Sequence, residues 1–153
     1  MKTNEKTREV LNDLIQINHD RVEGYERANK ETEVKDADLR SLFSEMATDS
    51  RRYANELSKY VTYEGGEPAE GTTFRGKIYR TWMDVKATFS GHDRKAILAS
   101  CEFGEDAAQR AYNDALSSDA ELDTEVRQLI MDQKNALKKS HDKIKRMRDL
   151  QNA

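Results

Sequence analysis

The stretch CEFGEDAAQRAY, residues 101 to 112, sets Glu102 and Glu105 three positions apart among residues that favour helix. Inward-facing carboxylates on helices are how four-helix bundles hold metal ions. The chain has three histidines, His19, His92 and His141. His19 and His141 fall within helical patterns and extend the candidate ligand set to Glu102, Glu105, His19 and His141. Iron or manganese would suit such a set of carboxylates and imidazoles. The competing reading makes the two glutamates a solvated flank that pairs with Arg or Lys of a neighbouring helix.

Other chemistries find little support. GGEPAEG lacks the Lys-Ser/Thr that a phosphate-cradling loop requires. His92 sits in SGHDRK, where a helix would begin, and no Ser-His-Asp or Cys-His order stands out. Cys101 is the single cysteine; it excludes an internal disulfide, fits a reducing compartment and reads as a small buried hydrophobe.

Whether the candidate ligands can meet depends on the elements that carry them. The chain has 153 residues, enough for one domain spanning 1–153 with a core of its own. Hydrophobic and charged residues each make up 36%, the balance of long helices with one apolar stripe and broad wet faces. Apolar or small residues recur at three-and-four spacing: Leu11, Leu14, Ile15, Asn18, Val22 and Tyr25, then Leu39, Leu42, Phe43, Met46, Ser50, Tyr53, Leu57, Tyr60 and Val61. After the one proline, Pro68, a stripe of Phe74, Ile78, Trp82, Val85 and Phe89 follows. Two further stripes run Ile97, Cys101, Gly104, Ala108, Ala111, Ala115 and Val126, Leu129, Ile130, Gln133, Leu137, Ser140, Ile144, Met147. The spacing predicts helices over 5–30, 37–63, 73–90, 93–117 and 120–149, with no strand. The fold class expected is all-α: two antiparallel helical hairpins joined by a long crossover that carries a short extra helix. Asp36 and Asp38 are candidate caps at the first join, and SSDAEL supplies one before the last helix.

LNDLIQINHDRVEGYERA, GGEPAEGTTFRGKIYRTWMDVK, KAILASCEFGEDAAQRAYNDAL and the closing HDKIKRMRD together resemble a bacterial family of ferritin-like four-helix bundles, DUF2383, a domain of unknown function. The resemblance covers nearly the whole chain, and its most specific part is the CExGEDAA stretch. It implies a ferritin-like bundle, no established activity, and a stress-related role only by kinship with ferritin-like families.

A helix turns 100° per residue, which tests the metal reading. About the stripe through Ile97, Cys101, Gly104, Ala108 and Ala115, Glu105 falls roughly 80° from the centre and Glu102 roughly 140°. His19 falls roughly 80° out on its own helix. At mid-bundle the stripes instead carry Asn18, Ser50 and Gln133, a neutral polar layer that can fix helix register. A di-metal carboxylate centre needs Glu-x-x-His on two helices, and the sequence contains none. The expectation is therefore a non-catalytic bundle that acts by self-association, as a dimer, or by binding an unidentified protein partner. No cofactor is expected. Phe74, Ile78, Trp82, Val85 and Phe89 either pack the crossover on the bundle or form the dimer surface.

The alternative is a metal-binding or ferroxidase-like di-metal protein using Glu102 and Glu105. A net charge of −3 gives no reason to expect nucleic acid. The basic run KKSHDKIKRMRD lies at a helix C-terminus, where the dipole favours cations. Residues 1–20 lack the apolar core of a signal peptide and no run approaches a membrane span, so a cytoplasmic location is expected.

Overall fold

In the computed structural model the described residues are 2–70 and 94–151, with side chains from Glu5 onward. They form four long helices and no strand: α1 Lys2–Glu31, α2 Ala37–Tyr63, α3 Arg94–Ser117 and α4 Thr124–Leu150. The helix expected over 73–90, its stripe from Phe74 to Phe89, and His92 lie outside the described residues. α4 starts later than the spacing suggested because Asp123 is its N-cap, its side chain accepting from the Val126 N–H at 2.9 Å. Asp36 is the N-cap of α2 but makes no side-chain cap bond. Asp36 and Asp38 hold Arg94 instead, at 3.2 and 2.6 Å, fastening the α1–α2 turn to the start of α3.

That tie carries a pH signature. Hydrogen bonds from Arg94 hold the Asp38 carboxyl down to about 2. Its folded value lies below the unfolded one, so its stabilisation is present above about pH 4 and is lost as pH falls toward 2. Asp38 is largely exposed, with its side chain 59% accessible, and water screens the pair. Arg94→Ala should cost under about 1 kcal/mol at neutral pH. Chemical denaturation of both proteins should show the difference vanishing near pH 2.

Two apolar clusters fill the core. One gathers Leu11, Leu14 and Ile15 of α1, Tyr53, Leu57 and Val61 of α2, Ala108 and Tyr112 of α3, and Val126, Ile130 and Leu137 of α4. The other gathers Tyr25 and Ala28, Leu39, Phe43 and Met46, Ile97, Leu98 and Cys101, and Ile144. α1 and α4 therefore begin at the first cluster, whereas α2 and α3 begin at the second. α2 ends and α3 starts at opposite ends of the bundle, so the join between them spans its length, which is the one-crossover arrangement of ferritin-like folds. The start of that join folds back on α1. Gly65 takes φ +83°, the left-handed region that favours glycine. Beside it the Arg8 side chain packs so closely on Gly66 that a Cβ there would meet Arg8 Cδ at 2.3 Å. Asn12 Oδ1 accepts from the Ala69 N–H at 2.8 Å.

The buried seams follow a tighter rule than the stripes read from sequence. One buried row on α1 is Leu11, Leu14, Asn18, Arg21, Tyr25 and Ala28, and on α3 Leu98, Cys101, Glu105, Ala108, Tyr112 and Ala115, with Ile15, Ile17, Asp20 and Ile97 buried beside them. Both step by three and four in strict alternation. A 3.5-residue period stays inward only when helices wind gently about one another. Val22 and Ala111, placed on the stripes by a straight-helix projection, are half-buried. Arg21 and Glu105 take the centre.

Candidate functional site

Between the two apolar clusters lies a charged and hydrogen-bonded layer. Arg21 and Glu105 have side chains 1% and 0% exposed, and Arg21 Nη2 stands 2.5 Å from Glu105 Oε1. Arg21 Nε–H donates to the same oxygen at 2.7 Å, and Tyr25 O–H donates to it at 2.8 Å. Arg21 also donates from Nη1 to Ser50 Oγ, and its guanidinium lies over the Tyr25 ring, 5.3 Å from the centroid. Burial works against the Arg21 charge, but Glu105 outweighs it and holds the guanidinium above its ordinary value. Burial, then the Glu105 charge, pushes the Tyr25 phenol well up. The site is a fixed ion pair with a neutral phenol as second donor.

One step along the seam is a second polar layer. Asn18 Nδ2–H donates to Tyr112 Oη at 2.8 Å and to the Leu14 carbonyl at 2.9 Å. Tyr112 O–H donates to Gln133 Oε1 at 2.7 Å. Gln133 Nε2–H reaches the Tyr53 carbonyl at 3.2 Å and Glu56 Oε1 at 3.0 Å. Burial raises the Tyr112 phenol, so it stays a donor across the ordinary pH range. Asn18, Ser50 and Gln133 are all buried, but they do not satisfy one another directly. Tyr112 joins Asn18 to Gln133, and Ser50 belongs to the Arg21 layer.

This changes the expectation for one substitution. On the stripe alone, Gln133→Leu would keep or raise stability. With Tyr112 donating to Gln133, the leucine leaves that hydroxyl without its acceptor. The cost should be about 1–3 kcal/mol. Thermal melting checks it, with Gln133→Leu combined with Tyr112→Phe expected to recover part of the loss.

The four candidate ligands separate. Glu105 is in the core against Arg21, not on a solvated flank. Glu102 is half-buried on the α3–α4 edge, paired with Arg148 rather than pointing largely outward. His141 of α4 stands beside it, its Nε2 2.6 Å from Asp106 Oδ1 and its Nδ1 3.1 Å from Asp142 Oδ1. Burial alone would lower the His141 value, but Asp142 and Asp106 raise it overall. His19 is half-buried on α1 and lies outside this group. Sequence reasoning missed Arg21, Tyr112, Asp106 and Arg148, and read Tyr25 only as a stripe residue. Strict three-four alternation through Asn18 and Cys101 would have placed Arg21, Tyr25 and Glu105 on the seam.

The core can be compared with what a di-metal carboxylate bundle requires. That site takes a glutamate from each of two helices and a Glu-x-x-His pair from each of the other two. Here the layer takes Arg21 from α1, Ser50 and Tyr53 from α2, Glu105 from α3 and Gln133 from α4, and α1 also buries Asp20. Glu105 meets a permanent cation, Arg21, so the charge with which it would draw metal is already neutralised within the chain. These residues do not fit a di-metal centre at this position.

Helix order, crossover and polar mid-core define a ferritin-like four-helix bundle. The structure of a Mycobacterium smegmatis Dps1 mutant is similar, with a TM-score of 0.82 and 16% identity, over 95% of this chain and 97% of that chain. Residues 6–118 match the model of DUF2383, a domain of unknown function, and the chain belongs to that family. The match ends before α4, so the closing HDKIKRMRD lies beyond the matched segment. No curated protein sequence is similar enough to count as a relative. Among the described residues, no helix is long and apolar enough to cross a membrane.

Proposed function

We propose that this protein is a non-catalytic ferritin-like bundle that works by association, with further copies of itself or with a protein partner. The Arg21–Glu105 pair carries the reading: it fills mid-core with an internal cation where the bundle's chemistry would otherwise require a bound one. The fold shared with the Dps1 mutant supports a ferritin-like architecture and no particular activity. The stress-related role implied by family resemblance belongs to this proposal, as does a dimer built on the segment from Phe74 to Phe89.

The alternative of a ferroxidase-like centre using Glu102 and Glu105 together is disfavoured by geometry. Glu105 is committed to Arg21 and Tyr25 inside the core, whereas Glu102 faces Arg148 at the edge. Light scattering on the purified chain should give a dimer or larger assembly that Trp82→Ala dissociates without altering the melt. Protein from iron- and manganese-supplemented cells should not oxidise Fe(II). A monomer whose Fe(II) oxidation disappears in Glu105→Gln would refute the proposal.

A further inference from the structure

We propose that the α3–α4 edge holds a single divalent transition-metal ion, bound by Glu102, Asp106 and His141. This site is separate from the core, and the inference does not depend on the association reading. One ligand atom from each of the three residues lies within 4.8 Å of the others. Glu102 and Asp106 are four apart on α3, one turn of one face, and His141 reaches them from α4. Ligand atoms around one ion at about 2.0–2.2 Å stand somewhat closer than that outer limit, a gap that side-chain rotation at a half-buried edge can close.

The surroundings of His141 point to a ligand as well as a salt bridge. Asp142 Oδ1 stands 3.1 Å from Nδ1. With an ion bound, Nδ1 keeps its proton and donates to Asp142, while Nε2, 2.6 Å from Asp106, loses its proton and turns its lone pair to the metal. A metal-bound histidine is typically oriented this way by an outer carboxylate. Glu102 Oε2 is shut off from water, and the counter-charge beside it is Arg148. Arg148 is 28% exposed and also pairs with Asp149 at 2.9 Å, so it can withdraw and leave Glu102 to an ion. Lys138 sits 3.5 Å from Asp142 on the outer side. One imidazole with two carboxylates selects manganese, iron, cobalt or zinc over magnesium or calcium, which take oxygen almost exclusively. Bound there, the ion would cross-link α3 to α4, the helix that lies beyond the family-matched segment.

Calorimetric titration of the full chain with Zn²⁺, and absorption titration with Co²⁺, test the site. One ion per chain is expected, with Co²⁺ shifting the His141 ring-proton resonance. His141→Ala and Asp106→Asn should each weaken binding at least tenfold, and Asp142→Asn about tenfold through its hold on the ring. Arg148→Ala should tighten binding, a response that a purely structural salt-bridge cluster would not give. His19→Ala should change nothing. These positions are at least partly exposed, so the variants should fold, and melting curves verify it. If His141→Ala proves unstable, Asp106→Asn carries the same test. Binding that survives both substitutions, or the lack of any Co²⁺ band at millimolar metal, overturns the proposal.

Discussion

Arg21→Met should be among the most damaging single substitutions in this protein, costing about 3–5 kcal/mol. At the usual scaling for a domain of this size, the melting temperature should fall by roughly 6–20 °C. The reason is what remains behind. Glu105 is 0% exposed; Arg21 is its charged partner and one of its two donor residues, Tyr25 being the other. Methionine fills much of the space but offers no donor, so a carboxylate is stranded in an apolar interior. The penalty measures the stranding rather than the worth of the pair. Thermal denaturation by circular dichroism checks it, and a loss under about 1 kcal/mol would mean that Glu105 reaches water.

Glu105→Leu should be at least as damaging, and for a sharper reason. A stranded carboxylate can take up a proton, but a guanidinium stays charged at any pH a protein survives. Arg21 is fully buried between the two apolar clusters. The variant must unfold locally or carry an unpaired cation, at about 3–5 kcal/mol or more. Ser50 and the Tyr25 ring still face the guanidinium, but neither bears charge. Combining Arg21→Met, Glu105→Leu and Tyr25→Phe removes the ion pair together with the phenol that donates to it. Ser50 can then turn its hydroxyl to its own helix. The triple variant should return to within about 1–2 kcal/mol of the parent or exceed it, because buried pairs are often replaceable by well-packed apolar groups. Such strong non-additivity would identify the three residues as one unit. A triple variant as unstable as the sum of its parts would show that the layer stabilises the bundle in its own right.

If the triple variant folds but loses uniform order or adopts alternative helix alignments, the ion pair's contribution is specificity. Two apolar clusters otherwise slide over one another at little cost, and a buried charge pair penalises every register but one. Ring-proton dispersion of Phe43, whose ring sits 5.7 Å from that of Tyr25 in the parent, would report that loss. Arg21 thus links the fold to the proposed function: the charge that fixes the register also occupies mid-core.

Local pattern and short-range chemistry were legible from the residues alone. Helix spans came from three-and-four spacing, and the end of the second helix from the glycines and Pro68 that follow it. The ferritin-like topology followed from two hairpins and one long join, together with family motifs concentrated at CEFGEDAA. Asn18, Ser50 and Gln133 could be placed inside because a polar residue on an apolar stripe is conspicuous.

Tertiary structure decided which charges went in. A projection centred on the apolar residues alone moves Glu105 outward and overlooks Arg21, because a charged side chain carries no sign of the partner it will meet in the core. No property of either residue alone makes it a core residue. Each is tolerable there only because the other arrives from a helix more than 80 positions away in the chain. His141 with Asp106, and Arg148 with Glu102, likewise meet only where α4 lies along α3. Sequence determined the helices and their apolar faces through local periodicity. The pairing of buried charges came from packing, since desolvation penalises a lone ion and only a partner brought close in space offsets it.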